Sequence, residues 1–266
     1  MPGLNSEVRP GNDVGFNDVV AVDFGSVGVG RPLDELLSGV TDYVSRACVV
    51  DPLSLSWRSG TDLLARNARS VAESILDRVP ARPILLGQCS GANFTISLAA
   101  ALSDAGRPPG ALLIVDPLQV TPELLGEEAA ALVGRLGGDE ELARAVVAGL
   151  PGDASPSRLS AFLDEKFHTV AMQRVAGLDL DEETAKTVAH DIVGRYVDWL
   201  CFLAAQITTA ARPVTAPTYL VGPLAAESLA WLPDIVAGAD APDPLEDVST
   251  AVARILEPTG ATGDRR

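Results

Sequence analysis

The stretch Leu85-Leu-Gly-Gln-Cys-Ser-Gly-Ala-Asn-Phe-Thr95, LLGQCSGANFT, decides how the rest of the chain is interpreted. The apolar run Pro83-Ile-Leu-Leu86 predicts a strand that breaks at Gly87, and helical spacing predicts a helix through residues 93–105. A G-x-C-x-G pattern between a strand and a helix is typical of a nucleophile elbow, in which two glycines permit a sharp turn. Cys89 therefore stands where such an elbow normally has serine.

The strand before the elbow is one of five short apolar runs that predict strands. A helix is predicted between the second and third runs, over residues 61–78, and a closing helix over residues 247–256. Alternation of strands and helices favours a parallel sheet with helices on both faces, which is an α/β architecture. The five runs cover residues 19–23, 47–51, 83–86, 111–116 and 218–221.

The stretch between the fourth and fifth strands differs from the rest. Residues 121–210 have helical periodicity and several Gly and Pro breaks, so we interpret them as a helical lid inserted into the sheet domain. The core is then formed by residues 18–120 and 211–257. A polar, Gly- and Pro-containing lead-in at 1–17 and a tail at 258–266 are expected to be loose or disordered.

Composition limits the possible functions. The chain has 266 residues, 47% of them apolar, and a net charge of -16, which disfavours binding to nucleic acid or to anionic membranes. Its N-terminus has no signal-peptide pattern and no apolar run is long enough to span a bilayer, so we expect a cytoplasmic protein. Three scattered cysteines, at 48, 89 and 201, predict neither disulfides nor a metal site, and no cofactor is expected.

Over residues 19–256 the chain resembles the thioesterase family of α/β-hydrolases. These are the stand-alone (type II) or terminal thioesterases of polyketide and nonribosomal peptide assembly lines. The resemblance depends on the Gly-rich loop after the first strand, the elbow, the "LLIVDP" strand that ends at Asp116, the helical segment and the late strand at 218–221. It implies an α/β-hydrolase fold and an acyl thioester substrate, with an acyl or peptidyl carrier protein as a possible partner.

The resemblance also assigns roles to individual residues. Cys89 takes the nucleophile position and Asp116 the position of the triad acid. The oxyanion hole would consist of the backbone N–H of Ser90 and an N–H near Ser26. Cysteine at the elbow also occurs in dienelactone hydrolases and polyhydroxyalkanoate synthases, so the replacement of serine does not by itself imply loss of activity.

The chain departs from the family at the histidine. The loop that would carry it reads Val236-Ala-Gly-Ala-Asp-Ala-Pro-Asp243, and its Asp240 is interpreted as an ordinary loop residue. The two histidines, His168 and His190, both fall in the predicted lid. His190, on the last lid helix, is the candidate for a base that reaches Cys89.

A thiol needs less help than a hydroxyl, and the helix N-terminus is expected to favour the thiolate of Cys89. The sequence therefore predicts that an acyl group moves from a carrier-protein or coenzyme A thioester onto Cys89. From there it passes on by acyl transfer or cyclisation, and more slowly by hydrolysis. A second interpretation stays open: a catalytically degenerate or non-covalent protein of this fold that binds or templates an acyl intermediate. Cys48 and Cys201 are predicted to be core thiols.

Overall fold

Five parallel strands form the centre of the molecule, which is described by a computed structural model. The strand order is β2-β1-β3-β4-β5, and every neighbouring pair is parallel. The strands are β1 (Val19–Val22), β2 (Ala47–Val50), β3 (Ile84–Gln88), β4 (Ala111–Val115) and β5 (Thr218–Val221). The structure describes residues 19–25, 36, 47–153, 155–178, 181–208, 212–222, 248 and 251.

Apolar side chains cover both faces of the sheet, because strand residues point alternately to opposite sides. On one face, Val20, Leu85 and Leu112 belong to the larger core cluster. On the other, Leu86 and Leu113 pack in a smaller cluster. The smaller cluster also contains Leu36 and, from the predicted closing helix, the helical residues Val248 and Ala251. This arrangement explains why the central strands are continuous apolar runs.

Six helices with described bounds surround the sheet. Helix α1 (Leu63–Ile75) precedes β3, and α2 (Ala92–Asp104) follows it. Four more lie between β4 and β5, and we call residues 122–208 the helical insertion. They are α3 (Pro122–Arg135), α4 (Glu140–Gly149), α5 (Pro156–Val175) and α6 (Glu182–Thr208). Thr121 and Asp139 cap α3 and α4 by accepting the N–H groups of Leu124 and Leu142.

Two arginines join the helical insertion to loops at the sheet. Arg58, in the loop between β2 and α1, donates to Asp198 of α6 at 2.7 Å and to both carboxylate oxygens of Asp164 of α5 at 3.0 Å. Arg195 of α6 donates to the backbone carbonyl of Phe24, directly after β1, at 3.1 Å. The last two helices are therefore held to the carboxyl-terminal edge of the sheet by charged hydrogen bonds.

One detail of the sequence interpretation is wrong. Strand β3 does not break at Gly87; it continues to Gln88, and Gly87 pairs with Ile114 of β4. Glycine is needed there because a Cβ at this position would collide with the side chain of Thr95 on α2. The glycine thus allows close helix–strand packing, and the turn begins two residues later, at Cys89.

The α/β class and the α/β-hydrolase fold are confirmed. The crossovers of the parallel sheet, the sharp turn after β3 and the helical insertion after β4 agree with the prediction. The lead-in at 1–17 and the tail at 258–266 lie outside the described residues, and the role of the insertion as a lid stays a prediction. Within the described part of the chain, no helix is both long and apolar enough to cross a membrane.

Candidate active site

Cys89 lies at the point where β3 turns into α2, in a strained backbone conformation. Its φ angle is 51°, in the left-handed region that residues with a side chain rarely adopt. A short 3-10 turn over Cys89–Gly91 then leads into α2. Gly91 is required by close packing, since a Cβ there would lie 2.9 Å from the ring of Phe24. These features are the geometry of a nucleophile elbow, and strain of this kind is often found at functional sites.

The thiol of Cys89 is half-buried, and its pKa is raised above the ordinary value for cysteine. Burial is the largest cause, because it penalises the charged thiolate. The backbone N–H of Ser90 donates to the sulfur and acts in the opposite direction, while the charges of Asp116 and Glu128 raise the pKa further. The backbone N–H of Ser90, at the turn into α2, thus favours the thiolate as expected, but burial and two carboxylates outweigh it and the net pKa is raised.

The N–H of Ser90 is the part of the predicted oxyanion hole that the structure describes. It donates to the sulfur of Cys89, so it lies beside the atom that would attack a carbonyl carbon. Ser26, the second predicted contributor, lies outside the described residues. The loop that leads to it begins at Gly25, which has a φ of 59° and whose N–H donates to Asp23.

Asp116 occupies the equivalent corner on the neighbouring strand, directly after β4. Its φ is 44°, also in the left-handed region, and its N–H donates to the carbonyl of Val221 at 2.9 Å. The carboxylate lies against Gly222 after β5, so closely that any side chain at 222 would collide with it. Its charge acts on the thiol of Cys89. The structure thus brings two of the predicted site residues, Cys89 and Asp116, to adjacent strand ends.

Glu128, on α3, is a residue that the sequence interpretation missed. Its Oε2 accepts a hydrogen bond from the indole N–H of Trp199 on α6 at 3.2 Å. Trp199 packs edge-on against Phe24, with ring centroids 5.0 Å apart, and Phe24 fills the space next to Gly91 of the elbow. The charge of Glu128 also acts on Cys89.

A sequence signal for Glu128 did exist. It lies three residues after Leu125 and four before Leu132, both of which are buried, so it shares the apolar face of α3. The neighbouring Glu127 is exposed. An acid on the buried face of an amphipathic helix is unusual, and such a residue deserves examination as a site residue.

The two histidines lie on helices α5 and α6 of the helical insertion. His190 and His168 are both exposed. His190 precedes Trp199 by nine residues, about two and a half helical turns, so it points away from the side of α6 on which Trp199 is buried. Its role as a base stays a prediction. The loop at 236–243, with Asp240, lies outside the described residues.

The other two thiols are core residues, in agreement with their predicted role. Cys48 on β2 and Cys201 on α6 are both buried. Burial raises the pKa of both, that of Cys201 to about 12. Among the residues that the structure describes, no group of three or more His, Cys, Asp and Glu side chains could hold a metal ion.

Comparisons with known proteins give structural similarities at low sequence identity. The NocB thioesterase domain, solved in covalent complex with a fluorophosphonate nocardicin G analogue, is 19% identical with a TM-score of 0.47, over 91% of this chain and 95% of that chain. The Vlm2 thioesterase domain, solved with genetically encoded 2,3-diaminopropionic acid and a bound dodecadepsipeptide, is 16% identical with a TM-score of 0.48, over 93% and 96%.

A third similar structure, from work on epoxide hydrolases of the α/β-hydrolase superfamily in hot-environment metagenomes, is 12% identical. Its TM-score is 0.40, over 85% of this chain and 82% of that chain. Neither protein-family models nor curated protein sequences give a match.

Proposed function

We propose that this protein is an acyl-processing enzyme of secondary metabolism that uses Cys89 as its nucleophile. The observation that carries the proposal is the left-handed φ of 51° at Cys89, because a strained turn at a strand end presents a side chain above the sheet. Cys89 is half-buried, whereas Cys48 and Cys201 are buried, and this difference agrees with the proposed role of Cys89. The resemblance of the sequence to assembly-line thioesterases supplies the substrate class.

The proposed reaction begins with an acyl thioester of a carrier protein or of coenzyme A. Sγ of Cys89 attacks the thioester carbonyl carbon, the bond to the pantetheine sulfur breaks, and the thiol proton ends on that leaving sulfur. The N–H of Ser90 stabilises the carbonyl oxygen during attack. Since one thioester replaces another, the step is close to thermoneutral and the acyl-cysteine keeps its reactivity.

The acyl group then passes to an amine, a hydroxyl or a second thiol, or closes a ring, and water is a slower acceptor. The exposed position of His190 favours this preference, because a water molecule needs a well-placed base before it can attack. Asp116, on the neighbouring strand end, is proposed to orient the groups that meet at the elbow.

A second candidate function is non-covalent binding or templating of an acyl intermediate. One observation favours it: the pKa of Cys89 is raised, so the ligand-free protein holds a neutral thiol at neutral pH. In this case the elbow geometry is retained without covalent chemistry.

Intact-protein mass spectrometry after incubation with a panel of acyl pantetheine thioesters separates the two. We expect a mass increase equal to the acyl group in the wild type, loss of that adduct in Cys89→Ala, and its retention in the matched control Cys48→Ala. Absence of an adduct from the wild type with every thioester, together with binding of the same compounds by calorimetry, would establish the non-covalent alternative instead.

A further inference from the structure

A cavity of about 400 Å³ lies inside the helical insertion, between α3 and the end of α4. This volume is within the range of small-molecule sites in proteins, at its lower end. One wall is α3, with Gly126, Glu127 and Ala130, and the opposite wall is Val147 with the turn over 150–152. Among the described residues, none of those at the elbow lines the cavity. It is therefore a second cavity, separate from the proposed nucleophile.

Gly126 lies in the middle of α3, on the wall of this cavity. Glycine is less favourable than alanine in a helix interior, so a packing or functional reason is expected for it. A Cβ at 126 would meet one described atom within 4 Å, a methyl carbon of Val147 at 3.4 Å, which is an ordinary contact. At Gly87 and Gly91, by contrast, a Cβ would lie 2.2 Å and 2.9 Å from a side chain. Close packing therefore does not require Gly126, and its missing side chain leaves the cavity wider.

The charged groups of the cavity are two carboxylates, and no basic side chain lines it among the described residues. Glu123 and Glu127 are four residues apart, so they lie on the same side of α3. Hydrogen bonds from its own backbone N–H and from the side chain of Thr121 hold the pKa of Glu123 below its ordinary value. Glu127 is exposed and has no hydrogen-bond or ion-pair partner in the described part of the chain.

The sequence around the cavity adds to this negative charge. Residues 121–153 contain seven acids and two arginines. Of these arginines, Arg144 faces Glu140 of its own helix, and neither lines the cavity. The field at the cavity therefore attracts a cation and repels an anion.

We propose that this cavity binds a small hydrophobic ammonium compound. Its apolar part would lie against Leu125 and Val147, and its cationic group beside Glu123 and Glu127. Apolar walls favour burial of a hydrocarbon or aromatic body, and the two carboxylates select its charge. The volume admits a compound of about 10 to 15 non-hydrogen atoms. The site is independent of the chemistry proposed for Cys89, so either can hold without the other.

Helix α3 uses a different side for its bond to α6. Glu128, next to Glu127 in the sequence, accepts the indole N–H of Trp199 at 3.2 Å and does not line the cavity. Neighbouring helix residues point about 100° apart. A ligand in the cavity can therefore contact α3 without competing for the partner of Glu128.

Two-dimensional NMR titration of the full chain tests the charge class and the location together, at an ionic strength of about 0.15 M. The probe is naphthylethylamine, with naphthylethanol and naphthylacetate as neutral and anionic compounds of the same apolar body. We expect the amide shifts to cluster at 122–130 and 147–152, with a dissociation constant on the order of 0.1–1 mM for the amine. The alcohol should bind about three- to ten-fold more weakly, and the acetate more weakly still.

A charge variant tests the selection. Glu127→Gln should weaken binding of the amine about two- to five-fold and leave that of the alcohol unchanged. The matched control is Glu141→Gln, which removes the same charge from an exposed position on α4 that does not line the cavity. It should change neither affinity.

Space variants test the location. Ala130→Phe places a ring in the cavity and should weaken the amine at least about ten-fold. Ala131→Phe, at the exposed neighbouring position outside the cavity, should have no effect. Gly126→Ala should weaken the amine about two-fold while raising the midpoint of thermal unfolding by about 2 °C, because alanine favours the helix. Weaker binding in a more stable protein cannot result from unfolding.

Three results would overturn the proposal. If the alcohol or the acetate binds as tightly as the amine, the carboxylates do not select the ligand. If Ala131→Phe weakens binding as much as Ala130→Phe, the amine binds elsewhere on an acidic surface. If none of the three compounds shifts the amides around the cavity at millimolar concentration, the cavity is not a site for this class of ligand.

Discussion

Cys89 and Cys201 each lie near two carboxylates, but they differ in burial and in their hydrogen bonds. Cys89, at the elbow, is acted on by Asp116 and Glu128. It is half-buried, and a backbone N–H donates to its sulfur. Cys201, in the middle of α6, is fully buried. Since acidic neighbours are common to both, they are not what separates a candidate nucleophile from a core residue.

The carboxylates near Cys201 are bound by an arginine. Arg58 bonds to Asp198 and Asp164 and also donates to the carbonyl of Gly194, so the acids serve to attach α5 and α6 to the loop after β2. The pKa of Asp198 is raised because burial outweighs the stabilising effect of Arg58. At the elbow, the neighbours that set the pKa of the thiol are instead a backbone N–H and two carboxylates. The acids near Cys201 therefore share an arginine that links helices to a loop, whereas Asp116 and Glu128 come to the elbow from a strand end and from helix α3.

The largest expected effect is on thiol reactivity. In the native protein at pH 8, iodoacetamide should modify Cys89 at least about 100-fold faster than Cys201, because a pKa of about 12 leaves only a minute thiolate fraction at Cys201 and burial excludes the reagent. Peptide mass spectrometry of timed samples measures both rates. After denaturation in guanidinium chloride the two rates should converge, and equal rates in the native protein would remove the distinction between the two sites.

The next effect is on stability. Arg58→Met should lower the free energy of unfolding by about 2 kcal/mol, because it leaves Asp164 and Asp198 without their shared cation. Their side chains keep 45% and 25% exposure, which limits the loss. Urea denaturation measures it. The control is Arg144→Gln, which removes an exposed pair with Glu140 and should leave stability unchanged. An equally small change in both variants would show that the Arg58 contacts contribute little.

The smallest effect concerns stability at alkaline pH. In the unfolded chain Cys201 ionises near its ordinary pKa of 9.0, whereas in the folded protein it ionises at about 12. Between these values only the unfolded state loses the proton, so the free energy of unfolding falls as pH rises, by about 1.4 kcal/mol per pH unit from this group. Cys201→Ala should remove that part of the slope, about 1.4 kcal/mol in total, in denaturation curves measured from pH 8 to 10. Parallel slopes for the two proteins would contradict the shifted pKa.

The sequence predicted the sheet well because local patterns determine it. Each of the five strands falls within one residue of its predicted start, and Thr218–Val221 is predicted at its observed bounds. The elbow was also visible, since its two glycines and their flanking strand and helix are consecutive in the chain. The error at Gly87 arose because a glycine in a strand normally suggests a break, whereas here it makes room for Thr95 of the following helix.

The side chains around Cys89 could not be predicted from local sequence patterns. Glu128 and Trp199 are 39 and 110 residues after Cys89, and the hydrogen bond between them depends on how α3 packs against α6. The expected effect of the helix N-terminus was a local argument. It covered only one contribution, because burial and charges from distant parts of the chain raise the pKa of Cys89 by more than the N–H of Ser90 lowers it.

The bond between Arg195 and the carbonyl of Phe24 has a consequence for motion. Together with the contacts of Arg58, it attaches α6 to the loops after β1 and β2, so a tilt of this helix away from the sheet would break charged hydrogen bonds at two separate places. Helix α3, by contrast, is joined to α6 through the bond from Trp199 to Glu128. A ligand that displaces α3 would therefore carry the carboxylate of Glu128 away from its indole partner, so the admission of a bulky group beneath α3 and the loss of this hydrogen bond would be a single event.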